Sequence, residues 1–231
     1  SIKYIKNVLK LNEVKVPSPE ISNIPYLTEI AKNFDYIFLS TGASFLWEIG
    51  FAIETIYKIA PTAKIILLHC VSEYPAPINS LNLAAMKTLN NAFKLPVGFS
   101  DHSEGYIGSI AALTLGAEFI EKHITLNRNL SGPDHKASLE PKEFRNLVKG
   151  IRNISLAMGK TEKKITNSEK KNLSIVRKSI VAKKDIRKGE LYTEDNLTTK
   201  RPAVGICPMR WDEVIGKISN KDYKIDDLIE S

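Results

Sequence analysis

The run IILLH at 65–69, the segment SLNLAAMKTLNNAFK at 80–94 and the run VGF at 97–99 together decide the fold class. The first and last are short, apolar and bounded by turn residues, whereas the middle one places apolar residues at intervals of three and four. A strand, a helix and a second strand in that order make a βα unit with a parallel sheet. Working outward, the same alternation recurs. Apolar runs stand at Val14–Val16, Ile37–Leu39 and Phe119–Ile124, and ISNIPYLTEIAKN (21–33), SFLWEIGFAIETIYKI (44–59) and GYIGSIAALTLG (105–116) carry the helical period. A last helix, PKEFRNLVKGIRNISLAMG (141–159), opens on a proline at a permitted first-turn position and stops at Gly159. Five βα units result. A closed (β/α)₈ barrel needs eight and about 250 residues, so a small open α/β sheet and an incomplete barrel both remain open at this point.

Beyond residue 172 the period changes. KSIVAKKDIRKGELYTEDNL (178–197) reads as a short strand, a turn at Gly189 and polar connectors. The pentapeptides KKDIR (183–187) and NKDYK (220–224) each lead into an acidic, leucine-containing stretch, which implies a small β-rich module built from two similar halves. The expected division is a barrel-like part at 1–160, a lysine-rich linker at 161–174 and a small module at 175–231.

The composition belongs to an ordinary globular chain. Its 231 residues are 43% hydrophobic and 26% charged, with no biased tract. The formal charge of +7 is local: residues 160–188 hold eleven basic and three acidic side chains, and the rest of the chain is nearly neutral. A solvated linker accounts for such a run better than a polyanion-binding face does, so no nucleic-acid partner is expected. No apolar run approaches the roughly 20 residues of a membrane span, and SIKYIKNVLKLNEVK (1–15) has no signal-peptide core. With only Cys70 and Cys207, far apart, the expected compartment is the cytoplasm, with no membrane partner.

In parallel α/β folds the functional side chains gather at the carboxyl ends of the strands. Here those ends carry Lys15, Ser18 and Glu20; Ser40-Thr41-Gly42; His69, Cys70, Ser72 and Tyr74; Ser100-Asp101-His102; and His123, followed by GPDHKAS with Asp134 and His135. All four histidines belong to this set. His69, inside an apolar run, reads as structural. His102 and His123 end adjacent strands, so their rings can converge on one ion, and a two-histidine site with open positions suits a Lewis acid. Lys15 with Ser18 and Ser100 can bind phosphate or carboxylate through charge-assisted hydrogen bonds. There is no phosphate-cradling glycine loop and no serine-hydrolase elbow.

The blocks KVPSPEISNIPYL (15–27), LLHCVSEYPAP (67–77), VGFSDHSEGY (97–106) and IEKHITLNRNLSGPDHKASLEPKEF (120–144) resemble the sialic acid synthases, which include N-acetylneuraminate, legionaminate and pseudaminate synthases. RKSIVAKKDIRKGELYTEDNLTTKRPAVG (177–205) resembles the antifreeze-like (SAF) domain that follows their barrel. The resemblance implies a partial TIM barrel, made of the five C-terminal βα units, followed by a small β-rich SAF domain. It implies condensation of phosphoenolpyruvate with an N-acetylated hexosamine, such as N-acetylmannosamine, to a nine-carbon 2-keto acid with release of phosphate. His102 and His123 would hold Mn²⁺ or Mg²⁺, with Glu20 beside the reacting centre as a third catalytic group. Lys15, Ser18 and Ser100 would hold the phosphoenolpyruvate phosphate, Tyr74 and Asp134 would contact the sugar, Ser40 and Ser72 would be further substrate-binding residues, and Arg201 would reach a partner subunit's site in a domain-swapped homodimer. Family members begin with three further barrel units, so activity would call for a complementing N-terminal barrel chain. The alternative is a catalytically inactive remnant, or a dimerisation or sugar-binding module.

Overall fold

The computed structural model describes residues 2–230, in two compact units, 1–159 and 160–231. In the first, α1 (Ile2–Asn7) precedes β1 (Glu13–Val16), α2 (Ile24–Asn33), β2 (Tyr36–Ser40), α3 (Leu46–Ile59), β3 (Lys64–His69), α4 (Ala85–Phe93), β4 (Val97–Asp101), α5 (Ile107–Thr114), β5 (Ile120–Lys122) and α6 (Pro141–Met158). The strands form one parallel sheet in the order β1-β2-β3-β4-β5, each paired with its neighbour in sequence. This is a half-barrel, as the βα rhythm implies.

Alternation along each strand sorts the side chains. Val14, Val16, Ile37, Leu39, Ile65, Leu67, Val97 and Phe99 pack in one core with Leu27 and Ile30 of α2, Ile49 and Ile56 of α3, and Leu89 of α4. The intervening positions, among them Lys15, Ser40, Ser100 and Glu121, turn to the face away from those helices. The helices start where local chemistry supplies partners for free N–H groups. Asn23 caps α2 by accepting from the Tyr26 amide at 3.2 Å, and Glu143 accepts from the Glu140 amide at 3.0 Å at the start of α6. The end of α6 falls at Gly159, whose φ of 55° lies in the left-handed region.

In the second unit, α7 (Asn167–Lys170) and α8 (Leu173–Val176) precede an antiparallel pair, β6 (Ser179–Ala182) with β7 (Leu197–Lys200), and one turn of helix, α9 (Trp211–Val214). The lysine-rich stretch therefore holds two short helices where the sequence reads as linker alone. Thr166 starts the first of them by accepting from the Glu169 amide while Glu169 accepts from the Thr166 amide. The two similar pentapeptides pair with each other: Ile186 and Tyr223 exchange backbone hydrogen bonds of 2.9 and 2.8 Å above a core of Ile180, Ala182, Leu197, Val214 and Ile229. No helix among the described residues is long and apolar enough to cross a membrane.

Gly98 is where the sheet tolerates no side chain. A Cβ there would lie 2.6 Å from the Phe119 carbonyl oxygen and 2.7 Å from the Leu68 side chain. Since the nearest atom is backbone, Gly98→Ala must part β4 from the Phe119 strand end, at a cost of about 1–3 kcal/mol. A fall in the thermal midpoint by several degrees, measured by circular dichroism, is the expected result; an unchanged midpoint would show that the sheet yields there.

Candidate functional site

The polar side chains converge at the carboxyl end of β4 and β5. His102 directly follows β4, His123 directly follows β5, and Glu121 lies two residues before His123, on the same face of the strand. Ligand atoms of His102, Glu121 and His123 all lie within 4.8 Å of one another. Two imidazoles and a carboxylate make a donor set suited to a first-row divalent cation, with positions left for other ligands.

The protonation of His102 follows from its neighbours. Its Nδ1 lies 2.6 Å from the Val71 carbonyl, which can only accept, so the proton resides on Nδ1. Nε2 therefore presents a lone pair to the site. Its surroundings are the Tyr74 hydroxyl, which donates at 3.2 Å, and Ser100 Oγ, also at 3.2 Å. The Tyr74 ring stacks on His102 with centroids 4.1 Å apart. Burial pushes the His102 imidazole below its ordinary value, with the neighbouring His123 acting in the same direction and the Val71 hydrogen bond opposing, so the neutral, ligating form is favoured.

Glu121 accepts from Lys15 at 3.1 Å and from the Ser100 hydroxyl at 2.9 Å. Asp134 approaches from the loop after β5, its carboxylate 3.7 Å from His123 Nδ1. Lys15, Tyr74, Ser100, His102, His123 and Asp134 are thus brought together, with Glu121 at the centre. Reading from sequence missed Glu121, although the two-residue spacing in Glu121-Lys122-His123 signals it.

The other expected residues stand around this group or apart from it. Ser18 and Ser72 share a 3.1 Å hydrogen bond at the ends of β1 and β3. Gly42 lies between them: a Cβ there would meet Ser72 Oγ at 2.4 Å and Cys70 Sγ at 2.8 Å, so the strand ends close in only because the side chain is missing. Ser40 is buried at the end of β2, and its hydroxyl has no hydrogen-bond partner among the described residues. Its oxygen is closed off from solvent, and its neighbour is the Cys70 thiol, whose pKa burial raises and Ser40 partly lowers again. Glu20 is not joined to the cluster; its carboxylate accepts from Asn23 at 2.6 Å. Arg201 belongs to the second unit, where its Nε donates to the Val176 carbonyl at 2.9 Å.

The architecture and the site define an α/β half-barrel protein with a His–Glu–His constellation at its strand ends, followed by a small SAF-type β module. The chain belongs to the NeuB family, whose model matches residues 1–163, and the SAF domain model matches residues 177–230. It is 57% identical over 224 residues to the N,N'-diacetyllegionaminic acid synthase of Campylobacter jejuni, an alignment covering 96% of this chain and 67% of that protein. It is 31% identical to the human N-acetylneuraminate-9-phosphate synthase, covering 94% of this chain and 62% of that one. The crystal structure of the N-acetylneuraminic acid synthetase of Leptospira borgpetersenii, solved with citrate, superposes with a TM-score of 0.64 at 36% identity, over 71% of this chain and 57% of that one. The chain thus spans about two thirds of the length of the curated relatives it matches.

His69 lies on the helix side of β3, where its Nε2 is 2.8 Å from the Leu81 carbonyl, consistent with a structural role. Burial lowers its pKa from 6.5. The unfolded chain then binds more protons below about pH 6.5, so stability present above that value is lost as pH falls through the lowered folded pKa. Urea unfolding of the first unit between pH 7.5 and 5.5 should show stability falling on acidification, with a slope reduced by up to about 1.4 kcal/mol per pH unit in His69→Gln. Equal slopes in the two proteins would remove His69 from the account.

Proposed function

We propose that this chain supplies the metal and substrate site of a synthase that condenses phosphoenolpyruvate with an N-acetylated hexosamine, N-acetylmannosamine or a diacetylated relative, to a nine-carbon 2-keto acid. The observation that carries this reading is the His102–Glu121–His123 constellation beside a lysine and a group of serine hydroxyls. The names of the C. jejuni, human and L. borgpetersenii relatives support the product class.

His102 and His123, with Glu121 as a third donor, would hold Mn²⁺ or Mg²⁺. Such an ion supplies Lewis-acid polarisation of the sugar's aldehyde oxygen. Lys15 and the hydroxyls of Ser18 and Ser100 bind the phosphate of phosphoenolpyruvate, with Ser40 and Ser72 as further substrate-binding groups. Tyr74 and Asp134, at the rim, orient the sugar so that its aldehyde carbon faces the enol carbon. The carbon–carbon bond forms there, water adds to the phosphate-bearing carbon, and phosphate departs with the bond to that carbon breaking. Glu20 is assigned to the reacting centre on family resemblance, which would turn its carboxylate from Asn23. Arg201 is assigned to a partner subunit's site in a domain-swapped homodimer.

The test is phosphate release from phosphoenolpyruvate, N-acetylmannosamine and Mn²⁺, with and without the amino-terminal third of the C. jejuni relative. Release is expected in the complemented mixture. EDTA should abolish it, and His123→Ala or Glu121→Gln should lower it by about 100-fold or more. No release in either mixture would overturn the catalytic reading and leave a dimerisation or sugar-binding module.

A further inference from the structure

Behind the ligand cluster, on the opposite face of the same two strands, lies a second set of charged side chains that the chemistry above does not use. Asp101 and Lys122 are register partners at the last rung of the β4–β5 pairing. Both side chains are wholly buried, with Lys122 Nζ 3.4 Å from Asp101 Oδ1. Asp101 also accepts from the Ser103 amide at 2.9 Å, the Ser103 hydroxyl at 2.6 Å and the Ser109 hydroxyl of α5 at 2.6 Å. Lys122 donates to the Ser103 carbonyl. His102 therefore stands between two residues that this network holds, and Lys122 stands between Glu121 and His123.

The pairing this network belongs to is short. β5 has three residues and pairs with β4 through three positions, Phe99 with Ile120, Ser100 with Glu121 and Asp101 with Lys122. Beyond those positions the pairing is extended by the backbone hydrogen bonds of Phe99 to the Phe119 carbonyl at 2.8 Å and of Glu118 to the Val97 carbonyl at 2.9 Å, and a slip of one residue exchanges the two faces of a strand. Such a slip would turn Glu121 and His123 away from the site and put Lys122 in their place. It would also part a buried ammonium from its carboxylate, a far larger penalty than the loss of a surface pair.

We propose that Asp101 and Lys122 are positioning residues: the buried pair keys β5 to β4 so that Glu121 and His123 meet His102 in the geometry a divalent cation requires. The inference rests on the metal reading of the cluster, and it concerns residues that touch neither the ion nor the substrate. Outer partners that orient ligands typically change metal affinity by about 10- to 100-fold when removed.

Mn²⁺ binding to the full chain, followed by the electron paramagnetic resonance signal of the free ion, tests this without turnover. The double variant Asp101→Asn with Lys122→Met removes both charges and leaves neither unpaired. It should bind Mn²⁺ at least about tenfold more weakly while its circular dichroism stays that of the unaltered chain. Ser109→Ala, which removes one of the ties to Asp101, should shift affinity in the same direction by less. A purely structural pair would lower the melting temperature and leave affinity unchanged. A folded double variant with affinity within about twofold of the unaltered chain would overturn the proposal. Should the double variant not fold, unchanged affinity in Ser109→Ala would overturn it. Failure of the unaltered chain to bind Mn²⁺ would overturn the metal reading instead.

Discussion

The parallel pairing of neighbouring strands, with its period of two, is the constraint on which the rest of the molecule depends. It sends Val14, Ile37, Leu39, Ile65, Leu67 and Phe99 into the helices and leaves the other face free for polar groups. Each strand can then end in functional side chains without disturbing the core. The core face supplies the packing; the opposite face gathers a lysine, a carboxylate and two imidazoles at neighbouring strand ends. Buried polar groups cost free energy unless they are paired: on the helix side Asp101, Lys122, Ser103 and Ser109 satisfy one another, whereas on the site side His102 Nε2 keeps a lone pair turned toward Glu121 and His123.

Much of this was legible in the sequence, because both periods are local properties. The βα rhythm at 14–124 gives a parallel sheet with His102 and His123 at the ends of consecutive strands; the order β1-β2-β3-β4-β5 comes from the pairing, since an open sheet shares the same rhythm. Glu121 was not read, because a charge inside an apolar run looks like an interruption until strand pairing shows which face it occupies. The pairing of Asp101, itself named among the strand-end polar residues, with Lys122 was equally hidden: a buried ion pair is a tertiary fact, formed across strands whose register the sequence does not state. The Tyr74 stack on His102 depends on the path of the loop after β3, which no periodicity describes. In the lysine-rich segment the charge run overshadowed a local signal, since Thr166 and Glu169 have the spacing of a helix-starting pair.

The second unit illustrates the same limit from the other side. The similarity of KKDIR and NKDYK could be read from sequence, yet its meaning is a contact: Ile186 and Tyr223 exchange backbone hydrogen bonds, and Asp185 accepts from the Lys224 side chain and the Ile225 amide. Each copy completes the other. Backbone groups that a single short half would leave unpaired find partners in its counterpart, which is how so small a unit satisfies its polar main chain.

The Lys15–Glu121 pair joins the fold to the site. These residues belong to β1 and β5, the two edge strands of the five-stranded sheet, and yet their side chains meet at 3.1 Å. Four strand spacings of about 4.8 Å would hold those backbones roughly 19 Å apart in a flat sheet, beyond the reach of a lysine and a glutamate together. The sheet must therefore curl around its polar face, and the curvature that makes it a half-barrel is what concentrates the ligand atoms. The pair itself is about one-third exposed, at 36% and 31%, where an ion pair is worth at most about 1 kcal/mol. Its partners are consequently exchangeable. On the proposed function, a cation held by Glu121, His102 and His123 would take over the carboxylate's charge and leave the lysine for an anion at the adjoining serines, so that two ligands of opposite charge would be accommodated by parting one weak pair.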